Sequence, residues 1–314
     1  MRENDFDLTA VAAASEYRII KTLLGGNRGG YDGVLSRRRA IRALTAVGVS
    51  AAAIGLYTWR VEPHWLEFTH SFLRIRGLPI EIEGCTLVQI SDLHIGPQVD
   101  DDYIIESFRR VKEIRPDFVV YTGDWITYSG PRQFGQLQRV LVEMPHGRLG
   151  TVGILGNHDY GFNWRMLDVA RRVSEIVRAA GVTLLRNEAA AVGGVQFVGI
   201  DDLWSPCFDP GKILGAKGGD DSTLVLCHNP DAADRPVWGN YQGWILAGHT
   251  HGGQCKPPFL PPPLLPVKNR RYVAGEIELS ENRRMYISRG VGHLLRVRFN
   301  ARPEIATFRL ESGG

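Results

Sequence analysis

Two histidines lie one residue apart in Gly248-His249-Thr250-His251-Gly252-Gly253, directly after the apolar run Trp244-Ile245-Leu246-Ala247. If that run is a strand, both side chains leave it on one side. Neutral imidazole is the commonest protein ligand for a metal ion. Four other apolar runs end in the same way. Thr86-Leu87-Val88-Gln89-Ile90 precedes Asp92 and His94, and Phe118-Val119-Val120-Tyr121 precedes Gly123-Asp124. Val152-Gly153-Ile154-Leu155 leads into Gly156-Asn157-His158-Asp159, and Leu224-Val225-Leu226-Cys227 ends in His228. Carboxylates, imidazoles and a carboxamide at five strand ends are costly to bury unless they are paired, and they suit Mn, Fe or Zn. Their number suits two ions sharing a carboxylate.

The intervening sequence supplies elements that hold these ends in register. Asp100-Asp101-Asp102 favours a helix start, and Ile104, Phe108, Val111 and Ile114 form its apolar stripe up to Pro116. A second helix carries Phe134, Leu137, Leu141 and Met144. A third turns Met166, Ala170, Val173 and Val177 inward and Arg171, Arg172 and Arg178 to solvent. Residues 65–75 read as a strand, and residues 182–185 and 195–198 as strands of a β-rich second half. Alternating strands and helices place ligands at the carboxyl ends of the strands. Asp201 and Asp202 read as turn residues ahead of a role in shaping the site, His146 as solvent-exposed and His293 as structural.

The ordered set Asp-x-His, Gly-Asp, Gly-Asn-His-Asp, His, Gly-His-x-His resembles the calcineurin-like metallophosphoesterases, from about Cys85 to the C-terminus. With Gln254, Ser288-Arg289-Gly290-Val291-Gly292 and Arg302-Pro303-Glu304-Ile305 added, it is similar to their membrane-associated bacterial phosphodiesterase subgroup. The resemblance implies an α/β fold, a four-layer αββα sandwich of two mixed sheets. It implies that Asp92, His94 and His251 hold one divalent ion, that Asn157, His228 and His249 hold a second, and that Asp124 bridges them. His158 stands free of both, beside the leaving oxygen. Two cations offset the charge of a phosphoester and lower the pKa of a bound water toward about 7. The resulting hydroxide attacks in line, and His158 either protonates the leaving alkoxide or polarises a phosphoryl oxygen. Where many members carry a carboxylate three residues after the bridging aspartate, this chain has Thr127. The group that orients His158 is therefore open between Asp159 and a backbone carbonyl.

Before this domain, residues 1–35 form a polar, flexible tail with a glycine-rich stretch at 25–30. Ser36-Arg37-Arg38-Arg39-Ala40-Ile41-Arg42 then precedes an uncharged run to Trp59. Arginines before an apolar core mark a twin-arginine-like signal or membrane anchor over residues 36–59. With arginines held on the cytoplasmic side, the remainder lies outside the cytoplasmic membrane. Residues 60–84 follow as a linker with a first strand, and residues 85–314 form the metallophosphoesterase domain.

The expected activity is a dimetal-dependent phosphohydrolase, a phosphodiesterase of a lipid-linked or envelope substrate. Membrane contact comes through residues 43–59, with the apolar, proline-stiffened loop 257–266 as a second element. A UDP-2,3-diacylglucosamine diphosphatase on the cytoplasmic face is the enzymatic alternative, and a catalytically silent metal-binding scaffold is the alternative of another class. A formal net charge of only +3 gives no nucleic-acid surface. Cys85, Cys207, Cys227 and Cys255 form no Cys-x-x-Cys pair, so a zinc ribbon is excluded, and they read as small buried residues.

Overall fold

The computed structural model describes residues 37–214, 223–280 and 282–313. The tail expected at 1–35, and Ser36 of the arginine motif, lie outside them. The chain divides into two units, Met1–Ala53 and Ile54–Gly314. Helix α1 (Arg37–Leu56) opens with the arginines. Helical structure continues through Tyr57–Val61 and Glu62–His64, so it runs past the end expected for the anchor. The 28-residue helical stretch Arg37–His64 is long enough to cross a membrane and contains an 18-residue window with a mean hydropathy of 1.5.

The larger unit is built on two six-stranded sheets. Its elements run β1 (Glu67–Arg76), β2 (Thr86–Ile90), α2 (Asp101–Ile114), β3 (Phe118–Thr122), α3 (Arg132–Leu141) and β4 (Gly150–Ile154). They continue with α4 (Leu167–Ala179), β5 (Thr183–Leu184), β6 (Glu188–Val192), β7 (Val195–Ile200) and α5 (Gly211–Leu214). The last are β8 (Thr223–Cys227), β9 (Gly243–Ala247), β10 (Gly275–Ser280), β11 (Arg283–Ile287) and β12 (Glu304–Gly313). One sheet has the order β1-β12-β2-β3-β4-β5 and the other β10-β11-β9-β8-β7-β6. Strands β2 to β5 are mutually parallel, as are β11, β9, β8 and β7. An antiparallel pairing in each sheet makes both mixed.

Alternation along these strands sends one set of residues between the sheets and the other outward. Leu87, Phe118, Val120, Val152 and Phe308 of the first sheet meet Phe197, Leu224, Leu226 and Leu246 of the second in one buried cluster. The outward set of the first sheet packs beneath α2, α3 and α4 through Ile104, Phe108, Leu137, Val140, Val173 and Val177. Among the described residues, the outer face of the second sheet has no matching layer of long helices. It is covered by α5, the short turn Pro230–Asp234 and the rings of Trp238, Tyr241 and Tyr272. The fourth layer of the expected αββα sandwich is thus mostly loop.

Three local expectations change. Residues 183–184 form the edge of the first sheet, not part of the second half's sheet, because they pair with β4. Asp100 does not cap α2 through its side chain, which instead meets Arg296. All four cysteines are free and only Cys227 is fully buried. His146 is exposed, and His293 is buried with Nε2 3.0 Å from the Gln98 carbonyl, a structural contact.

Phe118 and Phe197 meet between the two sheets, with ring centroids 6.0 Å apart. Phe197→Ala leaves a void that neither sheet can close, and it is expected to cost ~3–5 kcal/mol of stability. Urea unfolding of the detergent-solubilised chain measures this, and a loss below about 1 kcal/mol would show the interface to be fluid.

Candidate metal centre

The five strand ends come from both sheets. β2, β3 and β4 deliver Asp92, His94, Asp124, Asn157 and His158 from the first, and β8 and β9 deliver His228, His249 and His251 from the second. The seam is bonded directly. The Gln89 amide donates to Thr122 Oγ1 (3.0 Å) and across to the Ala247 carbonyl (2.8 Å). The His249 backbone N–H donates to the Asp92 carboxylate at 3.0 Å. Strand register therefore fixes the relative position of the two halves.

Each strand must turn sharply at its end to aim its side chains inward. Asp92 (φ 54°), His94 (48°), Asp124 (56°), His249 (74°) and His251 (51°) all adopt the left-handed backbone region. Such a residue costs about 1–3 kcal/mol when it is not glycine, and it persists where the surroundings over-determine it. Gly248 has a different reason. A Cβ there would lie 2.0 Å from Ser91 Oγ and 2.5 Å from Asp92 Oδ2. The glycine lets β9 pass against the carboxylate that its next residue bonds.

Three overlapping groups of donor atoms result, the third being His94 and Asp124 with His158, and two of them contain the expected ligands. His94 Nε2 and His251 Nε2 are 2.9 Å apart, and Asp92 Oδ1 lies 3.9 and 3.4 Å from them. His228 and His249 form a second group with Asp124. Asp124 Oδ2 reaches both, 3.6 Å from His94 Nε2 and 3.1 Å from His228 Nε2. An ion with bonds of about 2.1 Å holds its neighbouring ligands roughly 3–3.5 Å from one another, so the spacing fits cations. Asn157 adds a carboxamide whose Oδ1 and Nδ2 are both buried without a partner. A buried polar atom left unpaired is costly unless something absent from the protein chain meets it.

Outer-nitrogen partners orient three imidazoles and set the tautomers of two. His228 Nδ1 lies 2.7 Å from the Thr122 carbonyl, and His249 Nε2 lies 2.9 Å from the Pro266 carbonyl. A carbonyl only accepts, so these nitrogens carry the proton and the opposite nitrogens face the centre. His94 Nδ1 lies 2.9 Å from Thr127 Oγ1. The threonine that replaces the expected carboxylate thus serves His94. Asp159 does not orient His158, because its buried carboxylate accepts from the backbone N–H of Gly156 (2.8 Å) and Ile126 (3.1 Å). The His158 backbone N–H donates to Asp124 Oδ1 at 2.8 Å, and its half-buried ring stands edge-on to His94 with centroids 5.0 Å apart. Among the described residues nothing hydrogen-bonds the His158 ring.

Sequence reasoning missed several neighbours. Asp202 is fully buried and is not a simple turn residue. Its Oδ1 accepts from the Trp204 N–H (2.8 Å), and its Oδ2 has no partner. Arg298 is buried with its guanidinium on the carbonyls of Arg289, Gly290, Gly292 and Ala301, and Nη2 lies 3.3 Å from His251 Nδ1. Trp204 stands edge-on to His249 and packs on Trp164, lining with Asn163 and Arg165 a cavity of about 520 Å³. Nothing local distinguishes these residues in the sequence. Their burial and contacts come from distant strands.

Burial pushes His249 down to about 3 and holds His94 and His251 well below the usual imidazole range, with Arg298 adding to the effect at His251. All three present lone pairs at neutral pH. Burial also works against a charge on His228, yet the carboxylates of Asp124, Asp92 and Asp202 outweigh it and hold His228 well above its usual value. Burial raises Asp92 to about 6 and Asp202 to about 7. In the metal-free chain a proton on His228 therefore offsets the clustered carboxylates.

A profile of the calcineurin-like phosphoesterases matches residues 85–253. The phosphodiesterase YaeI of Escherichia coli (strain K12) is 31% identical over 288 residues, covering 88% of this chain and 100% of its own length. The uncharacterized metallophosphoesterase YkuE of Bacillus subtilis (strain 168) is 31% identical over 296 residues, covering 88% of this chain and 98% of its own. The UDP-2,3-diacylglucosamine pyrophosphatase LpxG of Chlamydia trachomatis serovar D is 26% identical over 314 residues, covering 83% and 94%.

Cation binding must displace the proton held on His228, and toward pH 6 that of Asp92 as well. These protons are lost as pH rises, so affinity should rise with pH and fall on acidification, by about tenfold per pH unit for each proton displaced. Calorimetric titration of the metal-free chain with Mn from pH 6 to pH 8, in buffers of different ionisation enthalpy, should show proton release. A pH-independent affinity without proton release would contradict this arrangement.

Proposed function

The chain belongs to the calcineurin-like phosphoesterases, metal-dependent phosphoric ester hydrolases, and from that premise we propose that it is a membrane-anchored two-metal phosphodiesterase of a lipid-linked or envelope substrate. The observation that carries the two-ion reading is the single Asp124 carboxylate oxygen between two donor groups. Asp92, His94 and His251 would hold one ion, Asn157, His228 and His249 the other, and Asp124 would be shared between them. When bound, two divalent cations offset the charge of the phosphoryl group and acidify a water. The chain's own residues do the rest. The Thr122 and Pro266 carbonyls keep His228 and His249 in one tautomer, and Thr127 orients His94. His158, free of ring partners among the described residues, delivers a proton to the leaving oxygen. Neither Ser91 nor any cysteine is needed as a nucleophile.

The membrane assignment rests on the apolar stretch Arg37–His64, with Arg37, Arg38, Arg39 and Arg42 before its core. Positive flanks stay cytoplasmic, so the catalytic unit faces outward, beyond the cytoplasmic membrane. Similarity to LpxG over 83% of the chain supports a second reading, a UDP-2,3-diacylglucosamine diphosphatase. That reading requires the opposite topology, and a reporter fusion placing the C-terminus in the cytoplasm would favour it. All seven donors are present, which weighs against a silent scaffold.

The role of His158 and the reaction class are tested together. With Mn supplied, the chain should hydrolyse an aryl phosphodiester in preference to a phosphomonoester or a pyrophosphate. His158→Ala should keep its bound metal and lose roughly 10²–10⁴-fold in turnover. Loss of metal in that variant would make His158 a ligand, and preference for the pyrophosphate would favour the second reading.

A further inference from the structure

We infer that the proline-rich loop after the metal-binding turn is a docking surface for an anionic lipid bilayer, and that its base reports this contact to His249. The inference rests on the membrane-anchored reading above and names the surface that such a protein meets. Prolines stiffen residues 257–266 and leave few ways for the apolar side chains to fold back. Phe259 is fully exposed, and Leu260 and Leu264 are 59% and 77% exposed. Leu295, 66% exposed, stands on the neighbouring segment.

Charge chooses the occupant. Residues 254–275 contain Lys256, Lys268, Arg270 and Arg271 and no acidic residue. All four cations are exposed, and none forms an ion pair among the described residues. An apolar edge ringed by unpaired cations matches acyl chains beneath anionic headgroups. A protein partner with an apolar groove would leave these charges unanswered.

Connectivity chooses the place. The Gln254 amide donates to the carbonyls of Leu295 and Val297 at 3.0 Å, and Lys256 pairs with the Phe299 backbone. The same 294–301 segment bonds the chain leaving the apolar helix. The Arg298 N–H donates to the Thr58 carbonyl (3.0 Å), and the Ala301 N–H donates to Glu62 (2.7 Å). Trp59 and Trp65 lie half-exposed there beside Arg60 and Arg302, as residues of a membrane interface do. Loop 257–266 and the membrane-proximal residues 58–65 are therefore stitched to one segment, and the anchor keeps a bilayer at high local concentration.

The loop is also bolted to the metal centre. Pro262 packs on Gly253, where a Cβ would come within 2.3 Å of the Pro262 Cβ. The Pro266 carbonyl holds the outer nitrogen of His249 at 2.9 Å. Seating the loop on lipid restrains the chain that fixes this imidazole, so contact with the bilayer favours the ordered centre.

Hydrogen–deuterium exchange of the full chain tests this without turnover. The chain is placed in nanodiscs of phosphatidylcholine alone and in nanodiscs containing phosphatidylglycerol. Amides of residues 259–272 should exchange severalfold more slowly in the anionic discs, and the variant Phe259→Ser/Leu260→Ser/Leu264→Ser should lose that protection. Its ratio of turnover on anionic discs to turnover in detergent should fall to near one, from severalfold in the wild type. Equal exchange in both discs and in detergent overturns docking. Equal protection in neutral and anionic discs overturns the choice of anionic lipid. Exchange is read whether or not any ester is hydrolysed, so failure here is separable from failure of the phosphodiesterase reading.

Discussion

Buried charge at one point governs this structure. Asp92, Asp124, Asp202 and four imidazoles meet where two sheets end, each nearly or fully removed from water. Carboxylates buried together repel one another and cannot remain ionised there without cations. The metal-free chain answers with a proton held on His228. Divalent ions would answer it better, because they would also meet the orphaned Asn157 amide and use the lone pairs that the other imidazoles present. The five left-handed residues follow from the same demand, since an ordinary strand exit would aim these side chains away from each other.

Holding such a cluster requires rigid support, and the support is mostly backbone. The carbonyls of Thr122 and Pro266 orient two of the imidazoles, and a buried guanidinium gathers four carbonyls behind a third. The Glu304 carboxylate organises the turn that follows β11, accepting from the Arg289 N–H (2.9 Å) and Thr69 Oγ1 (2.6 Å). This explains why residues far from the donors in sequence belong to the same construction. The Arg302-Pro303-Glu304-Ile305 stretch acts through that turn and does not itself enter the centre.

The residues that cluster at the candidate centre were legible in the sequence because polar ligand types follow short apolar runs at each of five strand ends, a local pattern that survives without tertiary knowledge. The helices were legible for the same reason, through stripes such as Ile104, Phe108 and Val111. The division of the five ends between two sheets was not, because it depends on pairings between strands far apart in the chain, such as Leu87 with Phe118 and Leu224 with Trp244. Asp202 misled because a polar doublet after a strand reads as a turn, whereas distant strands bury it. The partners of His228 and His249 were hidden because a backbone carbonyl has no residue code. Thr127 was noticed as a departure, but only geometry assigns it to His94.

The most direct test of a shared two-cation centre is a crystal structure of the Mn-loaded chain with anomalous scattering measured at the Mn edge. The account predicts two peaks roughly 3.5–4 Å apart, one among Asp92, His94 and His251, the other among Asn157, His228 and His249, with Asp124 touching both. A single peak, or two peaks that Asp124 does not bridge, would contradict it.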